Sequence, residues 1–178
     1  MTRRYMNERW CVRCSRNKPT PYLEKHWRKL IPPSVKDPEK VGIIDIGCGN
    51  GRNTEFFHKQ GYHNTVAFDM VRDYGYKLIL GEESFPVLNN SVTVILANYV
   101  FMFLDKTERK TVIKDLKRIA APGCTIMVEL YPAKDSFTPD IKKCEQLQKE
   151  IFKALGWEKI LYSKHRFIAK NHAKRTSV

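Results

Sequence analysis

Long apolar runs are missing from this sequence of 178 residues. None approaches the ~18 residues that a membrane-spanning helix needs, and the basic N-terminus lacks the apolar core of a signal peptide. Cysteine is scarce and odd in number, with five residues spread from Cys11 to Cys144, which argues against a secreted disulfide framework. We therefore expect a cytosolic protein with reduced thiols and no membrane association. A hydrophobic content of 42% is enough for one core and a single domain.

Acidic residues are also few, with 19 Asp and Glu against 32 Lys and Arg. The excess lies at the two ends. Residues 1–40 carry eleven basic and four acidic residues, residues 157–178 carry six and one, and the middle is close to neutral. Basic flanks of this kind suit contact with nucleic acid, an acidic substrate or an oxyanion, although a lysine-rich soluble surface explains them equally well.

The first 18 residues are basic and lack helical periodicity, which predicts a flexible arm. Cys11 and Cys14 have the C-x-x-C spacing of half a zinc site, but the only further ligand nearby is His26. We predict no metal site, with zinc on Cys11 and Cys14 as the alternative.

Residues 21–30 then predict a helix with an apolar, aromatic face. This helix would either pack against the sheet or cover a cofactor as a lid, with Tyr22, His26 or Trp27 as the contacting residue. Packing is the preferred role for Trp27.

A glycine loop follows the first strongly apolar segment of the chain. Val41 to Ile46 has the character of a strand buried on both faces, and Gly47, Gly49 and Gly51 come directly after it. Glycines allow positive φ and let a ligand approach the backbone, and Asn53 or Thr54 could cap the helix that follows. The spacing is not the dinucleotide pattern G-x-G-x-x-G, because Arg52 stands where the last glycine would be.

Two acidic residues narrow the choice of ligand for this loop. Asp45 lies just before the loop, and Asp69 ends the next apolar run, where an acid that binds ribose is expected. A carboxylate at 45 suits a cationic group better than a pyrophosphate, and one at 69 can accept both hydroxyls of a ribose diol. S-adenosylmethionine offers an ammonium, a diol and no phosphate. The alternative is a helix-capping loop in some other α/β protein.

The remaining pattern alternates strands and helices, which predicts an α/β fold with a doubly wound, mostly parallel sheet. Between Asp69 and residues 76–80 the chain is too short for an ordinary crossover, so 71–80 is either a strand after a shortened region or a helix. The other predicted elements are a helix at 53–60, a strand at 92–97, a helix from a capping box at Asp105 and Glu108 to Ala120, a strand at 124–131, a helix from Thr138-Pro139 to Leu155, and an antiparallel hairpin of 157–162 and 165–170 joined by Ser163-Lys164.

At this point the sequence resembles a class I, Rossmann-like methyltransferase that uses S-adenosylmethionine. The residues that carry the resemblance are Asp45 to Asn53, Gly61-Tyr62 leading to Asp69, and Val100 to Asp105 after the fourth strand. Among these enzymes it is most similar to the tellurite-resistance methyltransferase family. The resemblance implies a methyltransferase domain at 41–178, preceded by a basic arm and lid helix at 1–40.

The resemblance also implies a set of cofactor-binding residues. The loop backbone would lie along the methionine part, Asp45 would bind its ammonium, and Asp69 would bind the ribose. Adenine would contact Met70 and Glu82 or Glu83, and the ends of the fourth strand would line the pocket beside the methyl group. The predicted cofactor set is Asp45, Gly47, Cys48, Gly49, Asn50, Gly51, Asp69, Met70, Glu82, Glu83 and Asn98.

Methyl transfer to a soft anion or thiol needs no dedicated base, whereas an oxygen or nitrogen nucleophile could use Tyr99, Tyr131 or His26. The residues Asn98 to Phe101 lack the Pro-Pro turn of the related base N-methylases. Cys124 begins its strand at the wrong edge for cytosine C5 methylation. We predict a methyltransferase that acts on a small molecule or a metalloid oxyanion. The alternatives are an RNA- or protein-directed methyltransferase that uses the basic termini, and an inactive cofactor-binding partner subunit.

Overall fold

A computed structural model describes residues 18–71, 75–130 and 141–172. These residues form one mixed sheet of seven strands in the order β3-β2-β1-β4-β5-β7-β6. The first five strands are mutually parallel, whereas β7 is antiparallel to both β5 and β6. The strands are β1 Ile43–Ile46, β2 Thr65–Asp69, β3 Tyr76–Lys77, β4 Val92–Asn98, β5 Ala120–Glu129, β6 Glu158–Ser163 and β7 Arg166–Lys170. The predicted fold class is confirmed.

Helices cover both faces of the sheet. They are α1 Pro21–His26, α2 Arg52–Lys59, α3 Lys106–Ile119 and α4 Ile141–Leu155, with short 3-10 helices at Trp27–Lys29, Pro38–Lys40 and Phe101–Phe103. Along β4, Ile95 and Ala97 face the cluster with α3 and α4, while Val94 and Leu96 face the cluster with α1 and α2. Alternate residues of a strand point to opposite faces, so a strand that is apolar throughout is buried on both sides.

The capping box at the start of α3 is confirmed. The Asp105 carboxylate accepts from the backbone amides of Thr107 (2.7 Å) and Glu108 (2.8 Å), and the Glu108 carboxylate accepts from the Asp105 amide at 2.8 Å. This arrangement satisfies backbone donors that have no partner inside the helix. The start of α3 is therefore determined by local sequence.

The predicted cap of α2 is wrong. Gly51, in the left-handed conformation, is the N-cap residue and provides no side-chain hydrogen bond. Asn53 instead accepts from the Thr20 amide, and the Thr54 hydroxyl donates to Asp45. Both side chains make long-range contacts, which a rule for local capping does not consider.

In the described part of the region after β2, residues 75–80, the chain forms a strand at Tyr76–Lys77 and no helix. The strand β3 has two residues and pairs only with the last two residues of β2, Phe68 with Tyr76 and Asp69 with Lys77. Because β3 begins level with the second-last residue of β2, the chain has to move back along the sheet by only one or two residues. A connection much shorter than an ordinary crossover can span that distance.

Two other boundaries differ from the prediction. Strand β5 begins at Ala120 and includes Pro122 and Gly123, and the hairpin loop is Lys164-His165 because Ser163 still pairs with Arg166. Helix α4 is described from Ile141 onward, and the predicted start at Thr138-Pro139 lies outside the described residues. Among the helices that the structure describes, none has the length and apolarity needed to cross a membrane.

Candidate functional site

The candidate site lies at the carboxyl edge of the parallel strands. The chain runs from β1 through α2 to β2 on one side and continues to β4 on the other, so the crevice between β1 and β4 is the switch point of the sheet. Side chains that end β1, β2, β4 and β5 meet at this edge, and three of the four ends carry a carboxylate: Asp45, Asp69 and Glu129.

The glycine loop folds back onto the end of β2. The backbone amides of Gly47 and Cys48 donate to the Phe68 carbonyl at 2.7 and 3.1 Å. A Cβ on Gly47, where φ is +63°, would lie 2.4 Å from Val100 Cγ2, whereas a Cβ on Gly51 would meet nothing within 4 Å. The first glycine is thus required by packing, and the last leaves open space where a ligand can approach the backbone.

Asp69 connects the loop to the following segment. One carboxylate oxygen accepts from the Gly49 amide at 2.9 Å and the other accepts from the Val71 amide at 3.0 Å. A carboxylate has about four lone-pair positions, so two remain for further donors such as a ribose diol. Met70, the predicted contact to adenine, is half-buried beside it.

Asp45 and Arg52 carry opposite charges and lie near one another, but they do not form an ion pair. Asp45 is 1% exposed and accepts from the Thr54 hydroxyl at 3.0 Å. Burial raises the pKa of its carboxyl to about 7, an effect that the Thr54 hydrogen bond and the charge of Arg52 reduce. Arg52 is half-buried and has no ion pair within 4 Å or hydrogen bond among the described residues. A carboxylate and a guanidinium in this arrangement suit the two charges of an amino-acid group.

A buried polar cluster lies at the ends of β4 and β5, and sequence reasoning missed its central residue. Glu129 is fully buried, and its Oε1 accepts from the Thr20 hydroxyl and from Asn98 Nδ2 at 2.6 Å. Its Oε2 accepts from the Tyr99 hydroxyl at 3.3 Å and forms an ion pair with Arg166 Nε at 3.3 Å. Burial raises the pKa of Glu129. The signal available in the sequence was its place at the end of an apolar strand, which it shares with Asp45 and Asp69.

Tyr99 and its neighbours complete this cluster. Tyr99 has φ +62°, which is uncommon for a residue with a side chain, and its amide donates to the Glu129 carbonyl at 2.8 Å. Burial raises the pKa values of Tyr99 and Tyr22 to about 12. Asn98 Oδ1 and the Tyr22 hydroxyl are buried and have no hydrogen-bond partner among the described residues.

The predicted lid residues have different positions. The Trp27 ring packs edge-on against Phe56, Phe57 and Tyr62, with centroids 6.0 to 6.3 Å apart, so its predicted packing role is confirmed. His26 contacts the Tyr22 ring at 4.8 Å, and burial together with Lys25 and Lys29 lowers its pKa. Thr20 and Tyr22 are the residues of this helix and its cap that lie against the polar cluster around Glu129, and His26 does not.

Other predicted site residues are exposed or lie outside the described residues. Glu82 and Glu83 are exposed in a turn, where the Glu83 carboxylate accepts from the Ile79 amide at 2.7 Å. Tyr131, Cys11 and Cys14 lie outside the described residues. Within the described ranges there is no group of three or more His, Cys, Asp or Glu residues that could hold a metal ion.

The sheet order, the antiparallel β7 and the glycine loop at the switch point together define the Rossmann-like methyltransferase fold. Residues 44–128 match the family model described as a methyltransferase domain. This segment contains the glycine loop, Asp69, Asn98 and Tyr99.

Comparison with solved structures gives the same fold. A SAM-dependent methyltransferase from Aquifex aeolicus aligns with TM-score 0.55 and 19% identity over 82% of this chain and 96% of its own. One from Archaeoglobus fulgidus aligns with TM-score 0.57 and 15% identity over 85% and 69%. The geranyl diphosphate C-methyltransferase of Streptomyces coelicolor, solved with S-adenosyl-L-homocysteine, aligns with TM-score 0.54 and 12% identity over 79% and 59%.

No curated protein sequence matches the chain. The domain match covers residues 44–128, just under half of the chain, and the solved structures show the Rossmann-like fold. The more specific likeness to the tellurite-resistance family stays a prediction.

Proposed function

We propose that this protein is an S-adenosylmethionine-dependent methyltransferase acting on a small molecule. The observation that carries the proposal is the glycine loop held between Asp45 and Asp69, with Asp69 bonded directly to the Gly49 amide. The match of residues 44–128 to a methyltransferase domain also supports it.

The described residues fit the amino-acid and ribose parts of the cofactor. Asp45 would hold the ammonium, Arg52 the carboxylate and Asp69 the ribose hydroxyls, while the open backbone at Gly51 would lie along the methionine chain. The bound cofactor supplies an activated methyl group on a sulfonium. The task left to the chain is to align a nucleophile at the β4 edge and to exclude water, and positioning of this kind can lower a barrier by about 7 to 11 kcal/mol.

The polar groups near the expected position of the methyl group are buried, and this favours a small methyl acceptor. Asn98 is 7% exposed and Glu129 is 0% exposed, so these groups suit a compact molecule better than the surface of a polymer. Assays with purified acceptors distinguish a small-molecule methyltransferase from the alternatives that the sequence left open. Those alternatives are a metalloid oxyanion acceptor, an RNA or protein acceptor, and an inactive partner subunit.

The first test is the pH dependence of cofactor binding. Because burial raises the pKa of Asp45 to about 7, its carboxyl is largely neutral at pH 5.5 and largely ionised at pH 7.5. Only the ionised form attracts an ammonium, so the affinity for S-adenosylmethionine should rise roughly twentyfold over this interval. Isothermal titration calorimetry at the two pH values measures it.

Asp45→Asn is the matched control because it cannot ionise. We expect weak binding that changes little with pH. If the parent protein does not bind S-adenosylmethionine at either pH, the proposed function is wrong. If it binds equally at both, only the role of Asp45 is wrong.

The second test concerns Arg52 and uses 5′-methylthioadenosine, which lacks the amino-acid part of the cofactor. We expect Arg52→Gln to weaken binding of S-adenosylmethionine about tenfold, since a charge-assisted contact is lost from a half-exposed site. Binding of 5′-methylthioadenosine should be unchanged. Equal weakening of both ligands would show that Arg52 acts on the loop rather than on the carboxylate.

A further inference from the structure

The Glu129 cluster has a defined direction of hydrogen bonding. The Glu129 carboxylate receives hydrogen bonds from Thr20, Asn98 and Tyr99, and the charge of Arg166 lies beside it. Asn98 therefore turns its Nδ2 toward Glu129 and the Thr20 hydroxyl oxygen, and its Oδ1 away from them, because the amide oxygen would be repelled by the carboxylate. Tyr99 likewise directs its hydroxyl hydrogen toward Glu129.

This direction determines what the cluster can offer to an acceptor molecule. Asn98 Oδ1 can only accept a hydrogen bond, and a Tyr99 oxygen that donates its hydrogen to Glu129 meets a ligand through its lone pairs. Asn98 Oδ1 is also buried with no hydrogen-bond partner among the described residues, an uncommon condition in native proteins. The chain covers this atom, so a ligand that uses it enters by displacing part of the cover. A molecule that binds here must bring N–H or O–H donors.

Glu129 contacts Tyr99 at both its backbone and its hydroxyl. The backbone amide of Tyr99 donates to the Glu129 carbonyl at 2.8 Å, and its hydroxyl donates to Glu129 Oε2. These contacts hold Tyr99 at φ +62°, a conformation that costs energy for a residue with a side chain. Its hydroxyl is thereby fixed at the end of β4, the edge at which the cofactor's methyl group is expected.

We propose that Tyr99 and Glu129 form a proton-accepting pair, and that the methyl acceptor is an amine or hydroxyl nucleophile rather than an oxyanion. This inference rests on the proposed function. Tyr99 contacts the acceptor, and Glu129 acts through it as a positioning residue. The nucleophile's lone pair forms the new bond to carbon while the carbon–sulfur pair returns to sulfur. The nucleophile's proton passes to the Tyr99 oxygen as the Tyr99 proton passes to Glu129. Because Glu129 is fully buried, its proton returns through the Tyr99 hydroxyl to water after the product leaves.

Other charged groups around Glu129 support the same assignment. Arg166 from β7 and Arg52 from α2 both favour the ionised carboxylate, whereas burial opposes it, and Tyr22 from α1 lies nearby. Burial keeps this carboxyl more basic than an exposed one, which suits a group that must accept a proton during turnover.

The test measures transfer of a labelled methyl group from S-adenosylmethionine to benzylamine, phenol and sodium tellurite at millimolar concentration, using the full chain. We expect transfer to benzylamine or phenol and none to tellurite. Glu129→Gln should lower kcat about 10²- to 10⁴-fold and abolish the acid limb of the pH profile. Neither KM for the acceptor nor the affinity for S-adenosylmethionine should change.

Glu129→Gln could unfold the cluster, so Tyr99→Phe is the second variant, because it removes one hydroxyl and one hydrogen bond. It should lower kcat by a similar factor. Tyr62→Phe, in the aromatic group around Trp27, is the control and should leave transfer unchanged.

Three results would overturn this inference and leave the proposed function standing. They are transfer to tellurite, full activity in both variants, and no transfer to either organic probe although S-adenosylmethionine binds. Failure to bind S-adenosylmethionine would instead count against the proposed function.

Discussion

Asp69→Ala is expected to weaken binding of S-adenosylmethionine by two to four orders of magnitude. Two ribose hydroxyls would lose a charged acceptor, and hydrogen bonds to charged groups are worth about 1.5 to 3 kcal/mol each. The substitution also removes the contact to the Gly49 amide, which holds the glycine loop in place. Calorimetry should show the same loss for 5′-methylthioadenosine, because that ligand keeps the ribose.

Asp37→Ala is the matched control. Asp37 also accepts a backbone hydrogen bond, from Glu39 at 3.1 Å, but it precedes β1 and so lies toward the opposite edge of the sheet. Its loss should leave both ligands bound as tightly as before. An Asp69→Ala protein that binds S-adenosylmethionine like the parent would contradict the assignment of the ribose site.

Gly47→Ala is expected to lower the free energy of unfolding by about 2 to 5 kcal/mol. A left-handed conformation costs an alanine about 1 to 2 kcal/mol, and overpacking of a core costs about 1 to 3 kcal/mol. The added Cβ would lie 2.4 Å from Val100 Cγ2, and Val100 is buried and β-branched, so it cannot rotate away easily. Urea denaturation followed by circular dichroism measures the change.

Gly51→Ala separates the two contributions. Gly51 has φ +74°, but an added Cβ would meet nothing within 4 Å, so only the conformational cost of about 1 to 2 kcal/mol remains. The difference between the two variants is the cost of the clash with Val100. Equal destabilisation would show that Val100 and its surroundings adjust, and that the packing requirement at position 47 is absent.

Local patterns predicted the elements whose causes are local. The capping box at Asp105 and the strand before the glycine loop were predicted correctly, because each depends on residues a few positions apart. The cap of α2 and the start of β5 were predicted wrongly. Asn53 is hydrogen-bonded to Thr20, and Thr54 to Asp45, instead of capping the helix. Pro122 and Gly123 lie inside β5, although turn rules predict that this strand begins only after them.

The candidate site divides in the same way. Asp45, the glycines and Asp69 were named as candidates from the sequence alone, because they lie at fixed positions along one β-loop-α-β unit. Thr20, Glu129 and Arg166 were not, since they are 37 to 146 positions apart and meet only when β5 and β7 are paired and the segment before α1 lies against them. The role of His26 shows the converse, because its helix is where the sequence places it and yet Tyr22 is the residue that reaches the cluster.

The sequence by itself therefore determined the kind of fold and suggested the proposed donor of the methyl group, because an apolar strand, a glycine loop and two spaced acids are local features of one chain segment. The tertiary structure decided the surroundings of the proposed acceptor. That half of the site joins side chains from four places in the fold, namely the segment before α1, the end of β4, β5 and β7. The energy of burying Glu129 is offset only when all of its partners are in place.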